Sequence, residues 1–90
     1  MHGVIVRVSI KDAGAAEERL KADIVPRVSA APGFVNGYWL RSDDGTSRLS
    51  VTLFESEDAA RAASEMARQN VPAETVTLED VEVREVVARA

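Results

Sequence analysis

The chain has 90 residues, of which 46% are hydrophobic and 29% are charged, and this length and balance fit one globular domain over residues 1–90. The formal net charge of -4 argues against nucleic acid as a partner, because affinity for phosphates comes from an excess of Lys and Arg. The chain has no cysteine, which excludes disulfides and thiolate chemistry, and no apolar run of the ~18 residues of a membrane span, so we expect a cytoplasmic protein without a membrane partner.

The first third of the chain predicts a strand followed by a helix. Apolar residues occupy every second position over residues 4–10, which is typical of a strand. Asp12 is a plausible helix N-cap, and an apolar residue recurs at every fourth position over residues 16–28. Pro26 lacks an amide proton, so we predict that the helix kinks there or breaks near Val25.

The middle of the chain predicts an antiparallel hairpin. An aromatic-rich run over residues 34–40 follows Pro32 and Gly33 and suits a second strand. The Asp43-Asp44-Gly45 turn separates it from an alternating third strand over residues 48–54.

A second helix and a last strand complete the pattern. Ser56 is the expected N-cap of a helix that runs to about Asn70, ahead of Pro72. The alternation of apolar residues shifts by one position within residues 76–87, so we expect either a bulge near residues 79–80 or a separate extended segment over residues 75–79.

The predicted order is β-α-β-β-α-β, a ferredoxin-like α+β sandwich. Right-handed crossovers place both helices on one face of a four-stranded antiparallel sheet. The apolar residues predicted to lie under the helices are Val4, Val6, Val8, Val51 and Leu53. The opposite face is then predicted to carry Ile5, Arg7, Ser9, Arg48, Ser50, Thr52 and Phe54. This mixture is too apolar to be simply solvated, so we expect a second copy to cover it and form a homodimeric α/β barrel.

Several short motifs in this order carry a family resemblance. They are Pro32-Gly33-Phe34, Gly37-Tyr38-Trp39, Asp44-Gly45, the run Phe54-Glu55-Ser56-Glu57-Asp58-Ala59, and Arg84-Glu85-Val86-Val87-Ala88. With the element order, they resemble the antibiotic biosynthesis monooxygenase-like (ABM) family of the dimeric α/β-barrel superfamily over nearly the whole chain. The resemblance implies a ferredoxin-like fold, a homodimer, and a cavity between helices and sheet that opens near the second strand.

The resemblance also bears on activity. Catalytic members that use no cofactor have an Asn and a Trp on the third strand, where this chain has, respectively, Ser50 and Phe54. Related haem-degrading enzymes use a histidine on or beyond the second helix, whereas the only histidine here is His2, which we predict to be a solvated terminal residue. The resemblance therefore implies no cofactor and no metal, and it leaves monooxygenase activity in question.

The candidate ligand-binding residues are aromatic, amide and guanidinium side chains: Asn36, Tyr38, Trp39, Arg7, Phe54 and Arg48. An aromatic ring beside an amide orients a planar ligand, and an inward arginine holds a carboxylate or enolate. Tyr38 and Trp39 cannot share a pocket, because strand neighbours point to opposite faces. The alternative for the aromatic residues is core or dimer packing, and for the arginines ion pairs with glutamates.

Two functions remain open on the sequence, and no catalytic residue is assigned under either. One is a non-enzymatic dimeric domain that binds a small organic molecule between helices and sheet. The other is a cofactor-independent monooxygenase or isomerase acting on an aromatic or polyketide-like substrate.

Overall fold

The computed structural model describes all 90 residues, and its elements follow the predicted order. The strands are β1 (His2–Ile10), β2 (Phe34–Arg41), β3 (Ser47–Phe54) and β4 (Val76–Glu85). The first helical region consists of α1 (Ala13–Arg19), a π-helical turn (Leu20–Ile24) and α2 (Val25–Ser29), and the second is α3 (Glu57–Gln69). None of these helices is both long and apolar enough to span a membrane.

The four strands form one antiparallel sheet in the order β2-β3-β1-β4, with both helical regions packed on one face. Of the two alternatives predicted for the last strand, the structure shows the bulge, within one continuous strand. Arg7 pairs with Asp80 but Val8 pairs with Leu78, so Glu79 is the extra residue of a bulge. Because of the bulge, the apolar residues of β4 that precede it and those that follow it both face the helices.

Local signals at the helix starts and the hairpin are also confirmed. The side chains of Asp12 and Ser56 each accept a hydrogen bond from the backbone N–H three residues later, at 3.1 Å. Pro26 is accommodated by the π-helical turn before it, in which the Val25 N–H donates to the Leu20 carbonyl. The predicted irregularity near Val25 is therefore a change of helical hydrogen bonding rather than a break.

The core lies between the sheet and the helices and is built from small residues. Val4, Phe54, Ala60 and Val81 form its main cluster, and Phe54 and Ala60 have no exposed surface. The ring of Phe54 meets that of Phe34 edge to face at 5.9 Å between centroids.

The predicted facing of the third strand is wrong, although that of the first strand is confirmed. Val4 pairs with Thr52 and Val6 with Ser50, so the polar residues of β3 share the helix-covered face with the valines. Phe54 lies on this face too. Its burial fixes which β3 side chains face the helices, because a one-residue slip would move every β3 side chain to the other face.

The face without helices, here called the uncovered face, is correspondingly more apolar than predicted. It carries three apolar residues of β3. Leu49, Val51 and Leu53 lie there, opposite Arg7, Ile5 and Gly3 of β1, respectively. Sequence alternation showed that β3 has one apolar and one mixed face. It did not show which of the two meets the helices, because both faces of this sheet carry apolar residues.

Candidate functional site

A cavity of about 110 Å³ lies between the helix-covered face of the sheet and the helices. Two thirds of its lining is hydrophobic, 12 of 18 residues. The sheet contributes Val4, Val6, Val8, Trp39, Arg48, Ser50, Thr52 and Val76. The helices and the segments after them contribute Ile24, Arg27, Val28, Ala31, Ala63, Met66, Ala67, Asn70, Val71 and Pro72. An apolar chamber with a few polar groups has the composition of a small-molecule site.

Three of the polar lining residues already have partners in the protein. Arg27 pairs with Asp23 at 2.9 Å, and the amide nitrogen of Asn70 donates to the Met66 carbonyl at 3.0 Å. The Thr52 hydroxyl donates to the Val4 carbonyl at 3.4 Å. These groups shape the wall, but their hydrogen-bonding capacity is partly used by the fold.

The remaining polar groups are those of Trp39, Arg48 and Ser50, on neighbouring positions of β2 and β3. None of their side chains takes part in a hydrogen bond within the protein. Ser50 is only 7% exposed, so its hydroxyl faces the cavity rather than bulk solvent. Together they offer an indole N–H, a guanidinium and a hydroxyl to whatever enters.

Arg48 is the only charged residue of this group. It forms none of the ion pairs of the structure, and burial alone lowers the pKa of its guanidinium. Arginine nevertheless remains protonated in proteins. The cavity is therefore bordered by a half-buried cation without a counter-charge, a costly arrangement that a ligand anion or acceptor would offset.

The position of Trp39 depends on Gly37. A Cβ atom at residue 37 would lie 2.9 Å from the Thr52 methyl carbon and 3.2 Å from Cη2 of the Trp39 ring. Both distances are shorter than carbon atoms normally approach. The absence of a side chain at this position allows the indole to lie across β2 against β3, where it forms part of the cavity wall.

An outer cleft of about 520 Å³ adjoins the cavity between α1 and the end of β2. Trp39 and Arg48 line both spaces, so they form the boundary between the apolar interior and the cleft. The cleft also contains Arg41, which lies 3.6 Å from a Glu17 carboxylate oxygen.

The structure places the six sequence-predicted residues in three different surroundings. Trp39 and Arg48 lie together at the cavity, whereas Asn36, Tyr38 and Arg7 lie on the uncovered face. The Oδ1 atom of Asn36 is buried without a hydrogen-bond partner, and Tyr38 is 62% exposed. As predicted, Tyr38 and Trp39 face opposite sides.

Phe54, the sixth predicted residue, is on the helix-covered face but does not line the cavity. Its ring is enclosed by the core, so the prediction that it lies on the uncovered face is wrong. The prediction for His2 is also wrong, because it begins β1, pairs with Phe54 and Glu85, and is half-buried. Ser50 lines the cavity but was not among the residues predicted from the sequence. The signal that could have identified it is the series of polar residues at alternate positions of β3, a strand that pairs with the valines of the core.

Comparison with protein-family models finds no match, and none is found among curated proteins. Solved structures do match. The cofactor-independent oxygenase SnoaB from Streptomyces nogalater matches with a TM-score of 0.72 and 22% identity, over 99% of this chain and 93% of that one. A monooxygenase of Streptomyces coelicolor, ActVA-Orf6, in complex with nanaomycin D matches with a TM-score of 0.64 and 16% identity, over 99% and 92%.

A dimeric ferredoxin-like protein from an uncultured marine organism is similar as well. Its TM-score is 0.65 at 13% identity, over 100% of this chain and 98% of that one. At these identities the comparisons establish the fold. The chain has the ferredoxin-like fold of the Streptomyces oxygenases, and the resemblance read from its motifs is confirmed at that level.

Proposed function

We propose that this protein binds a small, planar organic molecule in the cavity between helices and sheet. The observation that carries the proposal is the unpaired Arg48 guanidinium beside Trp39 and Ser50, at the edge of an otherwise apolar chamber. The apolar wall would take up a ring system, and the three free polar groups would orient it.

The cavity volume sets the size of the ligand. A chamber of about 110 Å³ suits one aromatic ring or part of a fused pair, with the remainder of a larger molecule extending into the adjoining cleft. An 11-atom probe such as 2-naphthol, at about 0.3 kcal/mol per atom, gains about 3.3 kcal/mol and is expected to bind with a Kd of about 4 mM.

Filling the cavity tests the proposal directly. Ala67 lines the cavity, so Ala67→Leu places a larger side chain inside it. Ala62 lies on the exposed side of the same helix, which makes Ala62→Leu a matched control. Titration calorimetry with 2-naphthol should show binding by the wild-type protein and Ala62→Leu, and at least tenfold weaker binding by Ala67→Leu. Equal binding by all three would contradict the proposed location.

A second candidate function is cofactor-independent oxygenation, favoured by the fold shared with two Streptomyces oxygenases. In this reading Arg48 would stabilise the anion of a deprotonated aromatic substrate, since a guanidinium offers paired hydrogen bonds to oxygen anions. Oxygen uptake with an anthrone substrate distinguishes the two functions. Turnover that is lost in Arg48→Gln and kept in Arg61→Gln, an exposed arginine on α3, would establish the oxygenase; no uptake despite binding supports a binding protein.

We also propose that a second copy of the chain covers the uncovered face. Leu49, Val51 and Leu53 are joined there by Leu40 and Tyr38, which are 53% and 62% exposed. Burial of such a surface stabilises association, and one structure with this fold is described as dimeric. Light scattering should give twice the chain mass at micromolar concentration, and Val51→Asp should give a folded monomer. A wild-type monomer would refute the proposal.

A further inference from the structure

Two arginines face each other across β2 and β3 at the boundary between cavity and cleft. Arg41 and Arg48 are direct partners in the antiparallel register and therefore project from the same face of the sheet. Directly opposite side chains start from Cβ atoms only ~5 Å apart, and like charges at such positions destabilise a sheet.

The carboxylates of the cleft, Glu17 and Asp43, form few ion pairs with these two arginines. Arg48 has no carboxylate within ion-pair distance. Arg41 has only Glu17, at 3.6 Å, and Glu17 also lies 3.4 Å from Lys21. Both contacts are long and at the surface, where such pairs contribute little. One carboxylate is therefore shared loosely by two cations, and the guanidinium nearest the cavity has none.

From this arrangement we infer that the ligand is an aromatic carboxylate, whose ring enters the cavity and whose carboxylate lies between Arg48 and Arg41. The inference rests on the proposed function and specifies its ligand class. A carboxylate is planar and accepts two parallel hydrogen bonds from one guanidinium, which gives direction as well as charge.

The cavity determines which part of the ligand enters first. Apart from the boundary residues Trp39, Arg48 and Ser50, the polar groups of its wall are those of Arg27, Thr52 and Asn70, which already have partners in the protein. A carboxylate pushed deeper would lose its hydration without compensation, so it stays at the boundary. The ring then passes between Trp39 and the helices, with its face available to the indole.

A matched pair of probes tests the inference: 2-naphthoate, and its neutral isostere 2-naphthamide. By calorimetry the wild-type protein should bind the naphthoate at least tenfold more tightly than the amide, equivalent to about 1.4 kcal/mol. Arg48→Gln should abolish this preference and Arg41→Gln should reduce it about threefold. The preference is expressed in every variant as the ratio of naphthoate affinity to amide affinity, so that a general loss of binding does not count as a loss of preference. Arg61→Gln, on the exposed surface of α3, is the control and should keep the full preference.

The outcomes separate this inference from the function beneath it. If neither probe binds, the proposed cavity function fails. If both bind equally in the wild-type protein, the cavity binds rings and the carboxylate inference is wrong. A preference that survives Arg48→Gln would also overturn it, because the charge discrimination would then come from elsewhere.

Discussion

Arg48 is expected to destabilise the free protein, so Arg48→Met should raise its stability. The methionine keeps the unbranched aliphatic stem and removes the charge, leaving a side chain suited to a half-buried position between apolar neighbours. Two unfavourable terms disappear: the desolvation that lowers the pKa of Arg48, and the repulsion from Arg41 directly opposite.

The expected gain is about 1 kcal/mol. Cross-strand pairs of this geometry contribute roughly 0.2–1 kcal/mol, and relief of the desolvation of the half-buried charge acts in the same direction. For a domain of this length, about 1 kcal/mol corresponds to a rise in Tm of about 4–8 °C. In an Arg41→Met background the gain should be smaller but still present, since the loss of Arg41 relieves the repulsion and leaves the desolvation of Arg48 unchanged.

Urea unfolding followed by far-ultraviolet circular dichroism, at one fixed protein concentration, measures the effect. Arg61→Met is the matched control, because Arg61 pairs with Glu57 at 2.6 Å within α3. That variant should lose a little stability rather than gain it, because the ion pair within the helix is removed. If Arg48→Met unfolds at lower urea than the wild-type protein with an unchanged slope, Arg48 has a structural role and the reasoning fails.

Three further outcomes follow from the core, the cavity wall and the hairpin. Phe54→Ala should lower the free energy of unfolding by about 3–5 kcal/mol in urea titrations, because the Phe54 ring is fully buried against Phe34. Gly37→Ala should cost about 1–3 kcal/mol and shift the emission of Trp39, the only tryptophan, because its Cβ would press on that ring; an unchanged spectrum would contradict the close approach of the indole to Gly37. Hydrogen bonds from Ser42 and Thr46 lower the pKa of Asp44 from 3.8 to about 2, so the Asp44 carboxylate stabilises the hairpin above pH 4 and this contribution disappears as pH falls toward 2. The NMR shift of its carboxyl carbon should titrate with a midpoint of about 2, and a midpoint near 3.8 would refute the assignment.

The sequence predicted the order of elements because each boundary has a local physical cause. Asp12 and Ser56 cap helices through hydrogen bonds to residues three positions away, and Asp44 and Gly45 form a turn within four residues. Gly45 adopts a φ of 75°, which glycine allows without strain. Such signals depend on neighbours in the sequence and are readable before any tertiary contact is known.

The facing of β3 could not be read in the same way, because it depends on contacts between distant segments. Phe54 is buried against Phe34, twenty positions earlier in the chain, and this contact turns Ser50 inward and Val51 outward. The same limit applies to the site. Trp39 and Arg48 were both candidates, but only the β2–β3 register places them at one cavity while sending Asn36 to the other face.

The inward polar residues of β3 are poorly explained by folding alone. A helix-covered strand is most stable with apolar side chains, and Leu49, Val51 and Leu53 would supply them if the strand faced the other way. Instead the fold places Arg48 and Ser50 against the cavity without protein partners and leaves the leucines for the uncovered face. Both choices lower the stability of an isolated, empty chain. Both become favourable when a ligand occupies the cavity and a second copy covers the sheet, so one strand register accounts for the binding and the dimer proposals together.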